Sequence, residues 1–330
     1  MNNIKKIGLT ALASSLVAIS AQAAEMTVSG ATVLTYTSED GTEVTGNPLG
    51  MKTNIAFTAS GEVNGYNVSY MQTSADQFAG MDSARLSVDM GDIGTLAFDQ
   101  GSGSGLATID DKTPTAAEEI WDGLDSTAAG RVGAAGSTGV VNYVNTFEGV
   151  TLNAAFRKGS GTANADGASS AAGEGAWDFA LTADGSSMGV DGLAIGLGYG
   201  EAENGSQAGT SYGDAEHMTA FANYSVGPVT FGYQMSYIEA NVNGTDDQEV
   251  NAWGLAFNVN ENLSLSYGER DVVNKGAGAS ADVTEKFDGI AVAYTMGSMK
   301  IAGNMNDVSD SAGVAGTNDS MTEIAVSFAF

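Results

Sequence analysis

In segment after segment beyond Glu25, most clearly between Phe221 and Thr295, large apolar side chains recur at every second position, separated by small or polar ones. Within 229–239, Val229, Phe231, Tyr233, Met235 and Tyr237 share one face, while Thr230, Gly232, Gln234 and Ser236 share the other. Trp253, Leu255, Phe257 and Val259 alternate in the same way with Ala252, Gly254, Ala256 and Asn258. Further on, Ile290, Val292, Tyr294 and Met296 alternate with Gly289, Ala291, Ala293 and Thr295. A period of two is that of a β-strand with one large apolar face. Carried along the chain, it predicts strands over 25–38, 51–61, 66–75, 82–90, 94–101, 138–147, 150–158 and 175–184. The second half adds 193–202, 216–226, 229–241, 248–259, 262–273, 286–297, 299–308 and 320–330, sixteen segments in all.

The connections alternate in length. Brief ones fall at 62–65, 91–94, 148–149, 227–228, 260–262 and 297–298, with 185–192 slightly longer. Between them come polar stretches at 39–50, 102–137, 159–174, 203–215, 274–285 and 309–319; two others on that side, 76–81 and 242–247, are brief. Tight turns at one end and loops at the other are how an outer-membrane meander reads. In lipid no backbone N–H can go unpaired, so such a sheet closes into a barrel with its apolar side chains outward. A soluble sandwich needs the reverse, an apolar interior and a charged exterior. The predicted fold class is all-β: a transmembrane antiparallel β-barrel of 16 strands.

Residues 1–23 read differently. Lys5 and Lys6 precede the apolar run Ile7–Ile19, and Ala21-Gln22-Ala23 offers small residues for cleavage. This is the pattern of a secretory signal peptide, leaving 24–330 as the barrel. The leader takes two of the 12 basic residues and none of the 40 acidic ones, so the remainder carries 10 against 40, a net of −30. Such a chain has no electrostatic footprint for nucleic acid. Aromatic residues along its whole length argue for a folded protein rather than an acidic tail. It has no cysteine, 45 glycines and 3 prolines. A chain of this size can be stable without disulfides, and many glycines with few prolines suit continuous strands and tight turns.

The opening Ala24-Glu25-Met26-Thr27-Val28-Ser29-Gly30, the long connection at 102–137 and the ending Val326-Ser327-Phe328-Ala329-Phe330 together resemble the Gram-negative general porins. The two terminal motifs carry most of that resemblance; the middle follows the family in architecture rather than identity. The resemblance implies a homotrimer in the outer membrane and insertion by the barrel-insertion machinery through the strand ending in Phe330. It also implies passive diffusion of ions and small hydrophilic solutes, and a third loop that folds into the lumen and narrows it.

That third loop, 102–137, is far too long for a hairpin connection. It carries Asp110, Asp111, Glu118, Glu119, Asp122 and Asp125, and its Trp121 and Leu124 need a surface to pack on. Alternation turns Lys52, Arg85, Arg157, Arg270 and Lys300 to the face opposite the apolar one. The cost of a charge in lipid accounts for that location by itself. The resemblance adds a role: acids on the loop opposed by bases on the pore wall. Arg85 and Arg157, inward on strands flanking the loop's origin and return, are foremost, and the net charge of −30 with the acidic loop predicts a moderate cation preference. Tyr36, Tyr70, Trp177, Tyr199, Tyr224, Tyr233, Tyr237 and Phe330 suit aromatic girdles at the membrane interfaces. No enzyme is expected. His217 is the only histidine, so no His-dependent triad or His-rich metal site can form, and 101–105 lacks the Lys and helix of a phosphate loop. No cofactor is expected either; Asp246-Asp247-Glu249 and the acids of 307–310 could hold Ca²⁺ weakly, without the spacing of a dedicated site. A substrate-selective channel and, more remotely, a Gly- and Asp-rich surface adhesin remain the rival readings.

Overall fold

The computed structural model describes residues 25–39, 46–74, 76, 80–124, 130–159, 175–204, 206–207, 210–242, 247–276 and 281–330. The leader expected over 1–23 and the loop residue Asp125 lie outside them. The first strands are β1 (Glu25–Glu39), β2 (Leu49–Val63), β3 (Tyr66–Ser74) and β4 (Met81–Asp89). Then come β5 (Thr95–Gln100), β6 (Thr138–Phe147), β7 (Val150–Arg157), β8 (Ala176–Asp184) and β9 (Leu193–Ala202). A two-residue ladder, β10 (Ser206–Gln207) with β11 (Thr210–Ser211), stands apart in one connection. The wall resumes with β12 (Ala215–Val226), β13 (Val229–Glu239), β14 (Asp247–Asn258) and β15 (Leu263–Lys275). It ends with β16 (Val283–Met296), β17 (Met299–Ser309) and β18 (Asn318–Ala329).

Sixteen of these strands form one closed antiparallel barrel, each paired with its neighbour in sequence, β9 with β12 and β18 with β1. The closing seam runs from Ala31↔Ala329 to Glu39↔Met321 and is fastened by Gly30 and Phe330, whose backbones exchange two 2.9 Å hydrogen bonds. Closure removes the unpaired edge that lipid forbids. The apolar faces point out: Leu255 is 41%, Phe257 40%, Ile290 50% and Val292 41% exposed, which no dry core would allow. The aromatic residues assigned to the girdles share that outer face. On the opposite face Gln234, Asn304 and Asn306 are buried. Among the described residues no helix is long and apolar enough to cross a membrane.

Local chemistry explains the tight turns. Asn64-Gly65 and Glu148-Gly149 both have positive φ at their two positions (54° and 86°, 49° and 85°), the two-residue turn whose twist matches that of the strands it joins. Every barrel strand lies within a few residues of its predicted span. The largest shift is at β16, predicted from 286 but beginning at Val283. Val283, Thr284 and Glu285 pair with Asn274, Val273 and Val272, so a continuing ladder overrides a polar composition.

Candidate functional site in the connection between β5 and β6

This connection is described over 101–124 and 130–137. Its root is a polar knot. Asp99 on β5 is fully buried and accepts the backbone N–H of Ser102 at 2.9 Å, the hydroxyl of Ser104 at 2.7 Å and that of Ser102. Arg85 on β4 pairs with Asp99 at 3.5 Å and donates to Gly103 O at 3.1 Å and to Asn142. The Gly-Ser run at 101–105 therefore serves as the pivot where the chain leaves the wall.

Beyond a 3₁₀ turn at Gly105–Ile109, wall side chains hold the segment's backbone, which has no ladder of its own and would otherwise carry unmade hydrogen bonds. Asp178 on β8 accepts from Leu106 N at 3.0 Å and Ala135 N at 2.8 Å, so one carboxylate fixes the outgoing and the returning limb. Gln234 on β13 accepts from Lys112 N at 2.7 Å and donates to Ile109 O at 2.9 Å. Ser266 on β15 accepts from Ala116 N at 2.9 Å, and Asn306 on β17 donates to Glu119 O at 3.1 Å and Asp122 O at 3.0 Å. Apolar contacts supplement these bonds. Ile120, Trp121 and Leu124 pack on Val250, Val272, Phe287 and Val308, while Leu106, Ile109 and Val132 cluster with Ala180 and Phe221. All these wall residues belong to the face opposite the exposed apolar one.

The charges follow from this seating. Burial raises Asp110 above the usual carboxylate range, against the pull of Arg131 and Lys112. Glu119 is pushed up to about 9, first by burial, then by a hydrogen bond to Asp111 and the charge of that neighbour. Burial also raises Glu118, joined by Glu323 and Asp122, while Lys52 and Lys300 counter it. Arg270, buried in the wall, lies 4.5 Å from the centre of the Trp121 ring, with Asp110, Asp111 and Glu119 as its acidic neighbours.

The acids and the bases chosen from sequence thus meet, but in a different pairing. Arg85 binds Asp99 at the root, and Arg157 sits beside Asp178. The opposition of these two arginines to Asp110, Asp111, Glu118, Glu119 and Asp122 gives way to Arg270, Lys52 and Lys300, together with Arg131 and Lys112 from the segment itself. The physical reason is length. The segment meets β4 at Gly103 and β7 at Gly105, whereas its acids lie further round the wall, toward β17. Arg131, Lys112, Glu323, Asp178 and Gln234 were not singled out from sequence. Asp178 and Gln234 were legible as polar side chains at inward positions, but nothing in the sequence names their partners. Of the acids considered for Ca²⁺, Asp246 lies outside the described residues. Asp247 accepts from Ala240 N at 2.8 Å, Glu249 pairs with Lys275 at 2.9 Å and Asp310 accepts from Gly316 N at 2.6 Å. Among the described residues no group of three or more His, Cys, Asp or Glu could hold a metal ion.

Residues 8–330 match the family described as Gram-negative porin. No curated protein matches the sequence. Among solved structures, the trimer form of OmpT, an outer membrane protein of Vibrio cholerae, superposes with a TM-score of 0.66 at 12% identity, over 94% of this chain and 100% of that one. A refined porin gives 0.66 at 14% identity over 93% and 100% of the two chains. The outer membrane channel DcaP of Acinetobacter baumannii gives 0.61 at 15% identity over 93% and 98%. At these identities the likeness speaks for the fold.

Proposed function

This chain belongs to the Gram-negative porin family, and from that premise we propose that its acidic segment runs inside the barrel and makes a passive outer-membrane diffusion pore moderately cation-preferring. One observation carries the reading: the segment bonds in turn to β8, β13, β15 and β17, always on the face opposite the apolar one. In a closed barrel, only a segment on the inner side can reach that face on so many strands. On this reading the passage runs beside Glu118, which accepts from Asn304 on β17 at 3.3 Å and has Lys52, Lys300 and Glu323 on β2, β17 and β18 as charged neighbours. Opposed fixed charges orient water there and disfavour apolar solutes, which displace that water without replacing its hydrogen bonds. Ions and small hydrophilic solutes pass, and no catalytic step is involved.

A net charge of −28 over the whole chain concentrates cations at the mouth, most at low salt, where screening is weakest. Reversal potentials across a KCl gradient test this, and an anion preference would overturn it. Lys52→Ser with Lys300→Ser should strengthen the cation preference. Arg85→Ser should act through the root at Asp99, changing the segment's order before its charge. The trimer form of the Vibrio protein and the family together favour a homotrimer, which predicts closures in three equal steps in planar bilayers.

A further inference from the structure

The inner wall contains a row of glycines that the turns do not explain. Gly232 on β13 pairs with Gly254 on β14, Gly254 with Gly268 on β15, and Gly268 with Gly289 on β16. The row is bracketed by asparagines: Asn223 on β12 pairs with Gly232, and Asn306 on β17 pairs with Gly289. Strands lie about 4.8 Å apart, so this single line crosses about 24 Å of wall. None of the four glycines has a positive φ, so backbone conformation does not require them.

Space does. A Cβ at Gly232 would collide with the ring of Pro114 and with Asn223, and one at Gly254 would come within 2.8 Å of Pro114 O. At Gly289 it would meet Asn306 Oδ1 at 2.6 Å and Ile120 Cγ2 at 3.0 Å, and at Gly268 it would meet Trp253 O at 3.2 Å and the same Ile120 atom at 3.4 Å. The bracketing asparagines fasten the segment at both ends of the row. Asn223 donates to Lys112 O at 2.7 Å, and Asn306 donates to Glu119 O and Asp122 O at 3.1 and 3.0 Å.

We propose that this in-register glycine row is the seat that sets how far the acidic segment stands off the wall, and so sets the bore. Without side chains beneath it, the segment lies directly on the sheet backbone. Any β-carbon under Pro114 lifts it off the wall and into the lumen. Gly232, Gly254 and Gly289 act through Pro114 and Ile120, and are positioning residues. The inference rests on the pore reading above and deepens it.

The test is single-channel conductance of the full-length protein in planar bilayers, with folding checked by heat-modifiable gel mobility. Gly232→Ala and Gly254→Ala should each lose conductance, with larger solutes excluded first. Gly303→Ala, on the outer face where a Cβ makes ordinary contacts with Val292 Cγ1 at 3.5 Å and Glu323 O at 3.7 Å, should keep the parental value. Adding Pro114→Ala should restore Gly232→Ala in part, since it removes the clash with the proline ring and leaves the one with Asn223 Oδ1. It should not restore Gly254→Ala, whose clash is with the backbone. If the wall variants do not fold, Ile120→Trp lifts the segment from its own side and should lower conductance likewise. Folded variants with parental conductance, or rescue of both alanine variants alike, would overturn the seat. A parental protein that passes no current would overturn the pore reading instead.

Discussion

Glu119 and Asp111 form a carboxyl pair whose hydrogen bonding is complete only with a proton between them. Asp111 Oδ1 accepts from Thr113 N at 3.1 Å and Thr113 Oγ1 at 3.0 Å, its buried Oδ2 has no N–H or O–H partner, and the Asp111 carboxyl shares a hydrogen bond with Glu119. Burial and this bond push Glu119 up to about 9, so it is neutral at pH 7. The sign follows: the folded state keeps a proton that the unfolded chain releases near pH 4.5, so the segment is held most firmly below that value and less so as pH rises to about 9. Raising pH through about 9 adds one negative charge beside Asp110, Asp111 and Asp122, against Arg270 and Arg131. Cation preference should therefore increase over that range, read as a shift in reversal potential. Glu119→Gln should abolish the step while leaving selectivity at pH 7 near the parental value. A step that persists in Glu119→Gln assigns it to another group.

The element that matters is the segment between β5 and β6, which has almost no regular structure and is held by its wall. Asp178 is its most economical restraint, one side chain for two limbs. Hydrogen bonds to a charged acceptor are worth about 1.5–3 kcal/mol each, more than the segment's own short 3₁₀ turn can replace. Asp178→Ala should leave the barrel folded but make 101–137 cleavable by added protease in detergent. Asp178→Asn, which keeps an acceptor, should show an intermediate rate. Equal resistance of Asp178→Ala and the parental protein would mean that Gln234, Ser266 and Asn306 suffice. The strands around the segment were readable because each repeats one simple rule. The segment's course was not, because Trp121 and Leu124 state a need for partners without saying which strand supplies them.

At the scale of the whole molecule, stability depends on closing one seam. Phe330 gives two backbone bonds to Gly30, of about 1 kcal/mol each, and lays its ring where a Cβ on Gly30 would come within 3.1 Å. Deleting Phe330 should lower the yield of heat-modifiable barrel while leaving the assembled fraction able to conduct. We further propose that this same end is what the insertion machinery reads, so the yield should fall more in cells than in detergent refolding. An equal loss in both settings would confine Phe330 to the seam.

The sequence by itself determined the number of strands, their faces and the side on which the long loops lie, because lipid imposes one rule on every strand and the rule repeats with a period of two. It also determined that Arg85, Arg157 and Arg270 point inward, since a charge has no other affordable place on a spanning strand. Only the tertiary structure decided which charges meet. Arg85 went to Asp99, one strand away, while Arg270 met Trp121 and Glu119 from far along the chain. Gly232, Gly254, Gly268 and Gly289 each read as an ordinary small residue on its own strand. They become a single row only when the register of three ladders is fixed, and register is a property of the closed barrel rather than of any one segment.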